Sequence, residues 1–487
     1  MVSVTSFSPN IKGDVITPGH PEYARSLHRW ACNAERNAAV VVFVKDEADV
    51  SKSILFAKEN NLPIAIRGGG HSPAGASSAE DGLVIDLSRH LNGVRIDPIK
   101  KLAYVGGGAL WETVDKAAIE YGLATVGGTV NHTGVGGLIV GGGFGWLSGE
   151  FGLTIDNLVQ VTLVNADGTV HTANEAENND LFFGVRGGGC NFGVVTEFVL
   201  VLHPQRRTVF AGPVVFPGSK LEQVVHFAED WYPNVSEKEA MLLVTTTGPG
   251  GTPIVAANIF FNGSEEDGRA NYKKLFDIGP VADKAKEIPY EVLNSLMNPM
   301  ALHGNGVYWK GVAHNGPALE PMTKAYEKVL DIARGGKFIA NAIYEWIPLK
   351  KINSVPASAT AYRRIPNPNC LVIIGWPGST HSAEKVDEAR PLAHAIAGCV
   401  AGGEDNLRDV KSHGYTNYGR SPGISQMGST VNLLIQSIDP EGILGLKDEV
   451  KDKAGVAFGD NYPLLQKIKK KHDPDNIFNR WFAITPA

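Results

Sequence analysis

The sequence predicts an α+β protein of two domains, and three observations carry that prediction. Its 487 residues are enough for two or three domains at about 150 residues each. From residue 40 onward, short β-prone runs alternate with stretches of helical spacing, beginning strand–helix–strand. Glycine is crowded into one part of the chain: 27 of the 56 glycines lie between Arg67 and Gly193. Hydrophobic runs interrupt the crowding and no Pro/Ser-rich repeat accompanies it. It therefore reads as folded chain whose turns need positive φ, or whose backbone approaches something closely, and not as linker.

Residues 1–40 form a lead-in with a helix expected around 21–34. A β run at 40–44 precedes a stretch, 46–60, in which Val50, Ile54, Leu55 and Ala57 share one helical face. A second β run, 63–66, leads into Arg67-Gly68-Gly69-Gly70-His71-Ser72, and 102–105 leads likewise into Gly106-Gly107-Gly108. The spacing predicts a helix over 110–121 with Gly122 at its C-cap. Two further clusters follow: 127–137, holding Gly127, Gly128, Gly134, Gly136 and Gly137, and 141–145, holding Gly141, Gly142, Gly143 and Gly145. After about His203 glycine thins out. β-prone runs (209–216, 241–247, 254–261, 338–347, 370–376) then alternate with helical stretches (221–232, 265–276, 319–333), which predicts an antiparallel sheet with helices on one face. Near the end, Pro463 sits just inside an expected helix that closes on Lys467 and Lys469-Lys470-Lys471, where the macrodipole favours cations.

Composition removes several classes. Net charge is −6, with 20% charged and 43% hydrophobic residues, which argues against a nucleic-acid surface and against disorder. No stretch of 18 apolar residues occurs, so no membrane association is expected. No basic leader with an apolar core opens the chain, and the cysteines Cys32, Cys190, Cys370 and Cys399 are widely separated. A cytoplasmic protein with reduced thiols is the expectation, with secretion open if a leader is missing. Sequons at Asn131, Asn234 and Asn262 arise readily by chance in a chain this long. No metal-ligand motif is present, and a monomer or weak dimer is expected.

The glycine clusters fail the common nucleotide patterns. G-x-G-x-x-G breaks at Ile139 and again at Trp146, and Gly336-Lys337 is followed by Phe338, not Ser or Thr. One G-x-S-x-G occurs at residues 419–423, but Pro422 has no N–H for the oxyanion hole such a serine needs. Long glycine loops with several exposed amides remain, and consecutive amides suit a pyrophosphate.

Arg67-Gly68-Gly69-Gly70-His71-Ser72 resembles the histidine-bearing loop of the berberine-bridge-enzyme-like flavoproteins of the vanillyl-alcohol-oxidase superfamily. Three more segments match in order: 134–157, with Phe151 where relatives usually carry Tyr; Arg186-Gly187-Gly188-Gly189 through Thr196; and 459–478, with Asn461, Lys469 and Asp473-Pro474-Asp475-Asn476. The resemblance implies a PCMH-type FAD-binding fold, with an FAD-binding domain over 1–205, a substrate domain over 206–415 and a C-terminal segment, 416–487, returning to the first. It implies that FAD is held covalently by His71 through the flavin 8α-methyl, a bond that a neutral imidazole can form as nucleophile. Many relatives add a cysteinyl bond, but Val130 occupies that position, so monocovalent attachment is expected.

The same resemblance assigns the cofactor to Arg67, Gly68, Gly69, Gly70, Ser72, Gly127, Gly128, Gly134, Gly137, Gly142 and Gly145. It puts Val195 on the adenine side and Asn461 at the flavin ring. Thr133 aligns with the residue that governs oxygen access, and its small size points to an oxidase. Tyr415-Thr416-Asn417-Tyr418 resembles the family's Tyr-x-Asn-Tyr segment, so Tyr415, Asn417 and Tyr418 are the catalytic candidates. If 338–347 is a strand, Tyr344 and Trp346 share one face and Ile343 and Glu345 the other. Relatives roof the flavin with such a strand, so Tyr344 and Trp346 are expected to touch substrate, with His132 beside the ring. The implied reaction passes a hydride from a C–H of an alcohol, sugar or amine to flavin while Tyr415 or Tyr418, its pKa lowered by a neighbour, takes a proton. Dioxygen then becomes hydrogen peroxide. A dehydrogenase with another acceptor, or a silent flavin-binding protein, stays open at this point.

Overall fold

The computed structural model describes residues 3–378, 382–408, 414–418 and 453–487; residues 419–423, with the chance G-x-S-x-G match, lie outside them. Three sheets organise the chain. The first has strands Val40–Phe43, Leu83–Asp86 and Ile64–Arg67 side by side and parallel, with Asp14–Ile16 antiparallel on the edge. Val40–Phe43 and Leu83–Asp86 are buried along their whole length, as continuous apolar runs in parallel sheets are. Helix Glu47–Glu59 connects the first two parallel strands in sequence, capped by the Asp46 carboxylate accepting from the Asp49 amide. Ile64–Arg67 then ends at the first glycine loop.

The second sheet is antiparallel, in the order Val94–Asp97, Leu102–Gly106, Val194–Val201, Leu158–Val164, Val170–Asn174. The third is a large antiparallel sheet in which Thr208–Pro217, Pro253–Phe261, Glu239–Thr247, Ile339–Trp346, Asn369–Trp376 and Gly306–Ala313 follow one another. Helices Leu221–Trp231, Leu319–Arg334 and Ala383–Val400 bury their apolar stripes against one face, where Leu243, Val255, Ala342 and Val372 join them in one core. The other face carries Leu242, Val244, Ile343 and Leu371 and packs on Trp146, Leu147 and Val126 from the glycine-rich part of the chain. The two-domain α+β architecture matches the expectation.

Strand Gly306–Ala313 and helix Ala383–Val400 are among the elements that were not legible in the sequence. The expected helix over 21–34 reduces to Tyr23–Leu27 and a single turn at Cys32–Ala34. Between them His28 is extended, and the Trp30 amide donates to the Gly70 carbonyl. Tertiary hydrogen bonding to the first glycine loop thus overrides local helix preference.

Helix Trp111–Ile119 meets the segment around Asn294 through Asp115, whose buried carboxylate accepts from Asn294 Nδ2 at 2.8 Å. Burial pushes the Asp115 carboxyl up to about 7 from an ordinary 3.8. Between those two values the folded chain holds a proton that the unfolded chain releases, so stability falls as pH rises through that window. Asp115→Asn should abolish this slope and raise stability at pH 8 by about 2–4 kcal/mol. Urea melts at pH 5 and pH 8 check it; an unchanged slope in the variant refutes the assignment.

Candidate active site

A cavity runs between the glycine loops and the inner face of the large sheet. Gly68, Gly69, Gly70, His71 and Ser72 line it, together with Gly128, Val130, Thr133, Gly134, Gly137, Val195, Tyr415, Asn417 and Tyr418. Most of the residues singled out in the sequence therefore converge on one space. The loops themselves press together: a β-carbon on Gly69 would lie 2.5 Å from the Gly134 nitrogen, and one on Gly134 would lie 2.4 Å from the Gly69 nitrogen. Only glycine permits that approach.

His71 is half-buried, stacks on the Trp30 indole with ring centres 4.3 Å apart, and has His132 at 5.1 Å on another side. Its Nε2 has no hydrogen-bond partner. Burial, with His132 and His303 nearby, pushes its pKa down to about 3, so the imidazole is neutral. Arg29, not anticipated from the sequence, braces the same loop by donating from Nε and Nη2 to the Ser77 carbonyl at 3.1 and 2.8 Å. Its guanidinium is buried, and burial together with Arg67 pulls its pKa down to about 9.

The remaining candidates fall elsewhere. Arg67 turns from the cavity to pair with buried Asp86 at 2.6 Å. Gly127, Gly142 and Gly145 do not line the cavity but make room for Trp111, for Tyr362 and for the Gly127 carbonyl, respectively. Asn461 sits at the N-terminus of helix Tyr462–His472, and its amide donates to the Ala357 and Thr360 carbonyls, both at 3.1 Å; it is not at the cavity wall. His132 flanks His71 and stands 4.7 Å from His303, ring to ring, outside the lining.

Tyr344 and Trp346 are the clear correction. Both point to the helix-covered face and are buried in that core. Two large aromatics fill the space beneath helices better than small ones would, and the strand's alternation then turns Ile343 and Glu345 into the cavity. Glu345 is the functional group that the aromatic signal obscured. The alternation offered it as the other face of the strand, and a charged residue within a buried strand marked that face as unusual.

Glu345 accepts from Tyr418 Oη at 2.8 Å and from Asn369 Nδ2 at 2.5 Å. Asn369 Oδ1 in turn accepts from the Tyr415 amide at 2.9 Å. Burial outweighs both donors and pushes the Glu345 carboxyl up to about 8. Tyr415 Oη accepts from the Gly143 amide at 2.9 Å and Asn417 Nδ2 at 2.7 Å. Burial drives both phenols above the ordinary tyrosine range, and for Tyr418 the Glu345 charge adds to it. Among the described residues no neighbour makes either tyrosine an ionised base, contrary to the expectation that a neighbour lowers the pKa of one of them.

Residues 38–174 match the family described as FAD binding domain, and residues 448–484 the family described as berberine and berberine like. The FAD-linked oxidoreductase pgmH of Aspergillus terreus is 30% identical over 98% of this chain and 95% of its own. The chain belongs to the berberine-bridge-enzyme-like FAD-linked oxidoreductases. An FAD-linked oxidoreductase of Dictyostelium discoideum is 32% identical over 67% of this oxidoreductase and 72% of its own length. Among solved structures, 6-hydroxy-D-nicotine oxidase from Arthrobacter nicotinovorans superposes with a TM-score of 0.80 at 24% identity over 98% of both chains. Xylooligosaccharide oxidase from Myceliophthora thermophila superposes at 0.79 and 20% identity over the whole of both chains. These two share the fold.

FAD fits the residues of the oxidoreductase. His71 offers an unpartnered, neutral nitrogen to the cavity. The Ser77 hydroxyl, buried on the cavity wall, lacks a partner, and the Arg29 guanidinium stands behind the same loop. That is a donor set for an anion. A β-carbon on Gly137 would meet nothing within 4 Å, so the cavity is open there to a flat group. Among the described residues, no cluster could hold a metal, and no helix is long and apolar enough to cross a membrane.

Proposed function

We propose that this oxidoreductase is an oxidase in which His71 alone holds FAD covalently and the Tyr418–Glu345 pair accepts the substrate proton. The observation that carries the reading is that the orphaned His71 nitrogen and the Glu345 carboxylate belong to the walls of one cavity. When bound, FAD supplies the hydride acceptor and the route by which electrons reach dioxygen. The chain's own residues do the rest. The 67–78 loop and the 127–137 segment hold the cofactor, with Val130 leaving no thiol at the usual second attachment. Thr133, small and at the cavity wall, supports access of dioxygen to the cofactor.

Tyr418 donates to Glu345, and its oxygen keeps a lone pair for a substrate O–H. As that O–H loses its proton to Tyr418, the phenol proton passes to Glu345, so neither oxygen need carry an isolated charge. Tyr415, held by Gly143 and Asn417, braces the same wall. Relatives named as oxidases of 6-hydroxynicotine and of xylooligosaccharide accord with dioxygen as the acceptor; photoreduced enzyme mixed with air is expected to reoxidise within seconds.

The attachment has its own test. After acid precipitation the wild-type pellet should stay yellow, whereas the His71→Ala flavoprotein should release all of its colour to the supernatant. Complete release from wild type refutes covalency.

A further inference from the structure

The reaction proposed above leaves the substrate's shape and polarity unassigned, and the cavity wall carries information on both. Adjacent strands present Leu242 opposite Glu345, Ile343 opposite Leu371, and Ile373 opposite Trp309, and all six line the cavity. Met300 faces the same space. Among the described residues that line the cavity, Glu345 is therefore the one carboxyl, on a strand wall that is otherwise aliphatic and indole. Among the described residues no lysine or arginine lines the cavity, so a phosphate, sulfate or carboxylate on the substrate finds no counter-charge there. A sugar is disfavoured, because most of its ring of hydroxyls would be buried against Leu242, Ile343, Leu371 and Ile373, which cannot hydrogen-bond, with the unpartnered Trp309 indole N–H as a donor among them.

The polar end is equally specific. Both Glu345 oxygens are already engaged, one by Tyr418 and one by Asn369. The group that meets the substrate is the neutral Tyr418 phenol, which suits a hydroxyl and gives an ammonium no direct charge partner. Trp309 stands edge-on to Tyr418 with ring centres 5.6 Å apart and 6.2 Å from the His71 ring, so a planar apolar group beside the hydroxyl meets an aromatic surface.

We propose that the substrate is a neutral, ring-bearing apolar alcohol whose hydroxyl meets Tyr418 and whose ring lies against Leu242, Ile343, Leu371, Ile373 and Trp309. The inference rests on the oxidase reading. In the balanced step the carbinol C–H bond breaks with its electron pair going to FAD, the O–H proton goes to the Tyr418–Glu345 pair, and C–O becomes C=O. The alcohol is thus oxidised by two electrons to an aldehyde or ketone.

Naphthalene-2-methanol, naphthalene-2-methylamine and cellobiose serve as probes on the FAD-loaded enzyme, with binding read by calorimetry and anaerobic flavin bleaching read separately. The alcohol is expected to bind about 100-fold more tightly than cellobiose and to bleach the flavin. Ile343→Asn, with flavin content and melting temperature unchanged, should weaken its binding about tenfold; Leu371→Gln serves if that variant folds poorly. Bleaching by cellobiose or the amine in preference to the alcohol overturns the substrate class and leaves the oxidase reading standing. Tight binding of the alcohol, weakened by Ile343→Asn but without bleaching, supports the pocket chemistry and counts against the oxidase reading. Failure of the alcohol to bind overturns the proposal.

Discussion

Glu345→Gln is expected to slow anaerobic flavin reduction by about 10²–10⁴-fold, the range for loss of a positioned proton acceptor, with flavin content unchanged. Glutamine keeps the hydrogen bond from either Tyr418 or Asn369 but has no basicity, so Tyr418 can no longer pass its proton on. The pH profile separates this from a structural fault. A carboxyl raised to about 8 must ionise before it accepts a proton, so in wild type the reduction rate should climb as pH rises through that region. In Glu345→Gln the climb should disappear. Tyr418→Phe should lose a comparable factor, because it removes the atom the substrate meets. Stopped-flow reduction from pH 6 to 10 gives both readings; a Glu345→Gln rate within a few-fold of wild type with the climb intact would sink the relay.

The relay also shows what the sequence made legible. Glycine loops, His71, Val130 and the Tyr415–Tyr418 segment are local strings, and each supplies residues to the wall of one cavity. Register along a strand is also local, and the two faces of 338–347 were separable from the alternation alone. Which face meets the cavity depends on the helices that cover the other one, and Ala383–Val400 was among the elements not read. Size misled as well: Tyr344 and Trp346 are large because they fill a core. Arg29 escaped for a related reason, since its partner, the Ser77 carbonyl, is a backbone atom 48 residues away that leaves no mark in side-chain chemistry. Arg67, Gly127, Gly142 and Gly145 lie in or beside the glycine loops in sequence but serve them as braces and spacers, and Asn461 ties its helix to the Ala357 and Thr360 carbonyls; only packing can draw these distinctions.

The lysines that close helix Tyr462–His472 illustrate the same limit and yield the largest stability effect. Read as surface cations at a helix C-terminus they would matter little, yet the Lys469 side chain is 0% exposed. Its ammonium donates to Asp473 at 2.6 Å and to the carbonyls of Asn191 and Phe478 at 2.8 and 2.6 Å. Asp473 also accepts from the Ile477 and Phe478 amides. Asn191 reaches back to the Trp481 and Phe482 carbonyls and the Ile484 amide, so one buried charge pair fastens the chain's tail to the glycine-rich segment 186–193. Trp481 and Gly189, both on the cavity wall, are positioned by that fastening.

Lys469→Ala leaves a buried carboxylate without its cation and two carbonyls without a donor, and should destabilise the FAD-loaded enzyme by about 3–5 kcal/mol. Lys469→Met with Asp473→Asn removes both charges while asparagine still accepts from a backbone amide, and should recover a good part of the loss. Urea unfolding followed by tryptophan fluorescence compares the three proteins. A Lys469→Ala variant as stable as wild type would show that the tail is held by the packing of Trp481 and Phe482 alone, and a double variant no better than the single one would assign the loss to the carbonyls and not to the stranded charge.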